Sequence, residues 1–290
     1  MKKYNRREFF KCGGAGILIT PYSKILQKDS IKYFIFDAHL HVLGDNGFIW
    51  QWNRVTTDMD DFVRYLDLCG VDKGIITSAR SEVADSPSEF IAGNREVLKY
   101  TEKYKGRFVP ACCVNVSFLD ESLREIEDCY HKYDIVWIGE LCNYAAKPRY
   151  EYNTDAFAQV VQKANELNMV LDIHTNVKEI ETASALYNNS IMVFPHLGGN
   201  RLDIERRAKA VSKMKNGYMD ISGSGYERVG MLEQVCKILG AEKVLFGSDF
   251  SINDPGSVIA RVKNAYLSEE EKEMIFHRNI ENLLKKVEKK

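Results

Sequence analysis

Six side chains of the kinds that hold metal ions stand in this sequence where strands would end. His39 and His41, in Phe36-Asp37-Ala38-His39-Leu40-His41, follow the apolar run Tyr33-Phe34-Ile35-Phe36, which reads as a buried strand. Side chains alternate along an extended backbone, so the two imidazoles project to one side, a few ångströms apart. Two neutral imidazoles so placed can hold a divalent cation such as zinc, provided that carboxylates or further histidines arrive from elsewhere. Glu140, His174, His196 and Asp249 are the candidates, and the fold must bring them there.

From residue 31 onward, apolar runs alternate with amphipathic segments. After the first strand, the runs at 73–77, 107–114, 135–138, 169–173, 191–194, 218–221 and 243–246 read as strands. Between them lie helical stripes. One is capped by Thr57 and closed by Gly70, one spans Ser88 to Tyr104, and one carries Leu119, Leu123, Ile126 and Tyr130. Two helices finish the chain, the last starting at Ser268 with Glu271 placed for a capping box. Eight strand–helix units in about 260 residues, with no domain-breaking linker, predict a single-domain (β/α)8 TIM barrel over residues 31–290. A doubly wound open sheet is the alternative, because periodicity does not say whether a sheet closes. A barrel puts its chemistry at the carboxyl ends of its strands. There stand His39 and His41 (first), Glu140 (fourth), His174 (fifth), His196 (sixth) and Asp249 (eighth). Any one of them could be an ordinary core histidine or a surface acid, but the ordered set points to one site. His131 and His277 fall in helices and read as surface or packing residues.

Composition excludes several classes. The net charge is −1 and no half is strongly basic, so nucleic acid is not an expected partner. The seven cysteines are scattered without a Cys-x-x-Cys, which argues against a disulfide framework or a thiolate zinc site. The amino terminus is distinct. Asn5-Arg6-Arg7-Glu8-Phe9-Phe10-Lys11 resembles a twin-arginine export signal, and the apolar run 12–20 is too short to span a bilayer. Residues 1–30 therefore read as a signal segment that takes a folded, metal-loaded protein to the periplasm or beyond. The alternative is a basic tail on a cytoplasmic protein. Cys12 lacks the small-residue pattern of a lipidation site, so no stable membrane anchor is expected.

The His39-x-His41 pair, His174, His196-Leu197-Gly198-Gly199, Gly247-Ser248-Asp249 and the closing Asn279-Ile280-Glu281-Asn282-Leu283-Leu284 resemble the amidohydrolase-related branch of the amidohydrolase superfamily. The resemblance runs from about residue 33 to 285. It implies a metal-dependent barrel, most often a hydrolase of amides, esters, lactones or phosphoesters, with nonoxidative decarboxylases in the same branch. It further implies that His39, His41, His174 and Asp249 bind metal, and that His196 is either a ligand of a second ion or an acid–base residue. Glu140 departs from the carbamylated lysine of some members and is closer to the glutamate of the TatD-type nucleases. A carboxylate there can bridge two ions, so one or two zinc ions are expected.

The chemistry expected first is hydrolysis by water whose pKa a divalent cation lowers from about 15.7 toward 7, with Asp249 as general base and His196, where not a ligand, steadying the oxyanion. Nonoxidative decarboxylation of a small carboxylic acid is the alternative, and a TatD-like nuclease comes third because the chain lacks a basic stripe. For the small-molecule substrate, Arg80, Tyr144, Asn176 and Arg201 follow strand ends, with Asn143 and Asn200 beside them. The two arginines favour a carboxylate-bearing substrate, and Trp50 and Trp52 could wall an apolar pocket. A homodimer is open to it.

Overall fold

Eight parallel strands run in chain order: β1 (Phe36–Val42), β2 (Lys73–Ser78), β3 (Phe108–Pro110), β4 (Trp137–Leu141), β5 (Val170–Ile173), β6 (Met192–Phe194), β7 (Gly217–Asp220) and β8 (Val244–Leu245). The computed structural model describes residues 32–44 and 56–289; the twin-arginine-like stretch with Cys12, and Trp50 and Trp52, lie outside the described residues. The helices are α1 (Met59–Cys69), α2 (Ala79–Glu82), α3 (Pro87–Lys103), α4 (Leu119–Tyr133), α5 (Asp155–Glu166), α6 (Val177–Leu186), α7 (Arg201–Val211), α8 (Met231–Leu239), α9 (Pro255–Lys263), α10 (Glu269–Glu273) and α11 (Asn279–Val287). None is long and apolar enough to cross a membrane.

Strands β1 to β3 pair in order, and so do β4 to β8. Both seams between the two runs are closed. Cys112 bridges Ile138 and Leu40 bridges Phe250. The Gly139 N–H donates to the Cys112 carbonyl at 2.7 Å, and the Ala38 N–H to the Phe246 carbonyl at 2.8 Å. The sheet is therefore a (β/α)8 barrel, and the open doubly wound alternative falls. At the strand starts, Phe36, Ile75 and Val170 pack with Ile280, Leu283 and Val287 of α11. That apolar base leaves the opposite end of the barrel for polar groups.

Local chemistry fixes the helix ends, with some shifts from expectation. Asp58, not Thr57, caps α1: its carboxylate accepts from the Asp61 N–H at 2.8 Å, while the Thr57 hydroxyl donates to the Asp61 side chain instead. Gly70 closes that helix at φ 84°, and Ser268 and Glu271 form the expected capping box. Strand β4 runs to Leu141, beyond the expected Ile138, so Glu140 lies inside the strand's end. Strand β2 is followed by two helices, the short α2 and the longer α3. The six described cysteines are free, and five are buried, as small core residues should be.

Register is irregular at two places, between Asp37 and Leu40 in β1 and between Ile138 and Leu141 in β4. A bulge turns side chains out of strict alternation, and these two turn His39 and Glu140. Gly139 makes the second turn possible: it sits at φ 123°, and a Cβ there would come within 2.1 Å of the Asp172 carbonyl oxygen. Gly139→Ala is expected to cost about 2–5 kcal/mol of unfolding free energy by strain and overlap. Gly106→Ala, at φ 78° with nothing within 4 Å of its Cβ, is expected to cost about 1–2 kcal/mol. Denaturant unfolding of both variants checks this; equal costs would contradict the crowding at Gly139.

Candidate metal centre

The ends of β1 and β4 and the turns after β5, β6 and β8 bring all six expected donors together. His39 Nε2 and His41 Nε2 stand 3.0 Å apart, and His41 Nε2 is 2.8 Å from Asp249 Oδ1. Glu140 Oε2 lies 3.6 Å from His39 Nε2, while its Oε1 lies 2.8 Å from His174 Nδ1 and 3.6 Å from His196 Nε2. Donor atoms fall into three groups, each within 4.8 Å: His39–His41–Glu140 and Glu140–His174–His196 at the mouth, and His39–Asp172–Asp220 behind them. Glu140 belongs to both groups at the mouth. His39 and His41 are buried, whereas the His174 and His196 side chains are 25% and 14% exposed, so the site opens on that side.

Carboxylates behind the histidines decide which nitrogen carries the proton. A carboxylate only accepts, so His39 Nδ1 donates to Asp220 Oδ2 at 2.9 Å and His41 Nδ1 donates to Glu82 Oε1 at 2.7 Å. Both Nε2 lone pairs are thereby turned toward each other. Such a pair repels unless a proton or a metal ion lies between, and a carboxylate behind each ligand is how proteins present histidine to a metal. His196 is set the same way: the Ser222 hydroxyl donates to Asp220 Oδ1 and accepts from His196 Nδ1 at 3.0 Å, leaving Nε2 toward Glu140. Asp249 is steadied by Asn253, which donates to its Oδ2 at 2.8 Å.

The electrostatics follow. Burial opposes charge on His39, but Asp220 and Glu140 override it and hold its proton affinity well above the usual range. Burial likewise opposes His41, but Glu82 and Asp249 bring it up to about 10. Burial would raise Glu140 and Asp220, yet His174 and His39 hold the first well below its usual range, and His39 brings the second down to about 2. His196 is lowered by burial and by His174, and so stays a neutral donor. His196 and Asp249 both adopt the left-handed backbone, each at φ 64°, a conformation costly outside glycine and found at functional sites.

Three carboxylates of the site escape the sequence reading, the third being Asp172, buried in β5 beside His39 and Asp220. Asp220 ends β7 and obeys the strand-end rule that finds Glu140 and Asp249, but reads as part of the strand. Glu82 sits on the four-residue α2, fully buried, and nothing in its local sequence distinguishes it from a surface acid.

The residues expected to meet substrate are spread more widely. Tyr144 is half exposed, and its ring stands edge-on to His174 with centroids 4.8 Å apart. Arg80 does not present a free guanidinium: Glu89 holds it with bonds of 2.7 and 2.8 Å and Glu96 with one of 3.0 Å. The Asn176 side chain caps α6, accepting from Lys178 and Glu179. Arg201 is exposed at the start of α7, 3.9 Å from Glu205. Asn143 donates to Glu179, and Asn200 caps α7.

A closed barrel with four imidazoles and two carboxylates at one mouth defines a metal-dependent enzyme of the barrel type. The chain belongs to the amidohydrolase family, in the amidohydrolase-2 branch of the metal-dependent superfamily: the profile of that family, described as amidohydrolase, matches residues 36–286. Among solved structures it is similar to a dihydroxybenzoic acid decarboxylase from a Polaromonas species with bound manganese, at 16% identity and TM-score 0.70, covering 87% of this chain and 97% of the other. It is similar to a 5-carboxyvanillate decarboxylase from Novosphingobium aromaticivorans with bound manganese, at 12% identity and TM-score 0.68, covering 87% and 97%. A probable 2-pyrone-4,6-dicarboxylic acid hydrolase from Acinetobacter baumannii aligns at 17% identity and TM-score 0.62, covering 87% and 99%. No curated protein matches the chain.

Two predictions follow from the buried histidine pair. In metal-free protein at pH 7 the raised proton affinities keep a proton between the two Nε2 atoms, so a divalent cation must displace it and binding must strengthen as pH rises toward 10. Calorimetry in buffers of different ionisation enthalpy should show proton release; no release would contradict the arrangement. Glu82→Gln should weaken cation affinity by about 10–100-fold while leaving all direct donors in place, and unchanged affinity would remove Glu82 from the site.

Proposed function

We propose that this enzyme is a metal-dependent hydrolase of a small molecule bearing a carboxylate, cutting an amide, ester, lactone or phosphoester bond with Asp249 as general base. The observation that supports this reading is the placement of Glu140, one oxygen toward His39 and the other toward His174 and His196. A carboxylate so shared suits two cations. Imidazole-rich donors suit zinc, although both decarboxylase relatives hold manganese.

When bound, such ions acidify water and polarise the group under attack. Asp249 then accepts the water's proton and returns it to the leaving group, its second oxygen held by Asn253. Tyr144 walls the open side beside His174, and Arg201 is the exposed cation of the next turn, suited to a substrate carboxylate. Arg80 and Asn176 are occupied by their own neighbours and take no part in this reading.

The solved relatives weigh toward a second reading, nonoxidative decarboxylation, since two of the three named above are decarboxylases. In it, Asp249 takes a proton from water and passes it to the carbon that loses carbon dioxide. All three relatives are named for acids, which supports a carboxylated substrate in either case. Turnover of carboxylated lactones, pyrones and hydroxybenzoates in deuterated, 18O-labelled water separates the two. Hydrolysis places 18O in the product acid; decarboxylation releases carbon dioxide, places deuterium on the carbon that bore the carboxylate, and would overturn the first reading. Asp249→Asn should lower kcat by about 10²–10⁴, and full turnover with the cations retained would remove the proposed base.

A further inference from the structure

We propose that Arg207 is the positioning residue for one half of the centre: its guanidinium ties the turn carrying His174 to the turn carrying His196 and so sets the spacing of two imidazoles that share a cation. The inference rests on the two-cation reading above. Arg207 lies on α7 and is 3% exposed. Its Nη1 donates to the carbonyl of Thr175, the residue after His174, at 2.5 Å, and its Nη2 to the carbonyl of Pro195, the residue before His196, at 2.7 Å. The two rings so flanked stand 4.7 Å apart, inclined at 67°.

A buried guanidinium is an expensive way to pack a helix on a barrel. Among the described residues Arg207 has no ion pair, and its Nε has no partner. Burial brings its proton affinity down to about 10, with Asp220 opposing, so it remains a cation at neutral pH. An apolar side chain would fill the same space at lower cost. What an apolar chain lacks, and a lysine has only in part, is a rigid planar fork that grips two carbonyls at a fixed separation. The Gly198 turn makes room for the arm: it sits at φ 122°, and a Cβ there would press on Arg207 Cδ at 3.2 Å. The other half of the centre hangs on β1 and the turn after β8, which these two bonds of Arg207 do not reach.

The test is a titration of metal-free full-length protein with cobalt(II), followed by visible absorption, for wild type, Arg207→Met and Arg207→Lys. Wild type should take up two equivalents in two steps. Both variants should keep the first step within about twofold and weaken the second by about 10–100-fold, the range seen when a residue orienting a ligand is lost. A second step unchanged in both variants would overturn the role of Arg207 alone, because two-step binding would still stand. Equal weakening of both steps, or loss of folding in both variants, would overturn it in favour of a purely structural part. A single step in wild type would contradict the two-cation reading and take the inference with it.

Discussion

Two imidazole nitrogens 3.0 Å apart, both turned inward by carboxylates behind them, cannot rest in a buried site without something positive between them. Most of the upper barrel follows from that constraint. Asp220 and Glu82 serve no apolar core; each is buried so that a histidine keeps its proton on the far side. Asp249 and Glu140 then close on the exposed lone pairs. Removing water from so many acids is costly, and a metal ion is the partner that repays several of them at once.

The barrel supplies the rigidity this needs. Apolar contacts between α11 and the strand starts stabilise one end, which lets the other end carry polar groups and strained backbone. Bulges in β1 and β4 and the left-handed conformations of His196 and Asp249 all lie at that end. Strain of about 1–3 kcal/mol per such residue persists only where the surroundings over-determine it, and here hydrogen bonds donated by Asn253 to Asp249, by His196 to Ser222 and by Arg207 to the Pro195 carbonyl do so.

Much of this was legible in the sequence, for physical reasons. Eight apolar runs alternate with amphipathic stripes because each strand is buried on both faces and each helix on one, so the (β/α)8 reading needed no motif. Six donors at strand ends were legible because a barrel concentrates chemistry there. Glu82 was not, since a four-residue helix leaves no periodic trace. Asp220 was missed by one residue of strand boundary, and Thr57 lost the cap to Asp58 for the same reason. Arg80 shows a different limit: position after a strand says nothing about which acids will already hold a guanidinium. Arg207 and Ser222 act through three-dimensional contacts between distant turns, which spacing along the chain does not encode.

Glu140 is where the fold and the chemistry meet, and its two oxygens face two sets of histidines. The hydrolytic reading proposed above rests on both sets being filled. The most direct test is anomalous diffraction from crystals of the protein grown with manganese. The account predicts two anomalous peaks, one between His39, His41 and Asp249 and one between His174 and His196, with Glu140 between them. A single peak, with His174 and His196 bound to nothing, would contradict it.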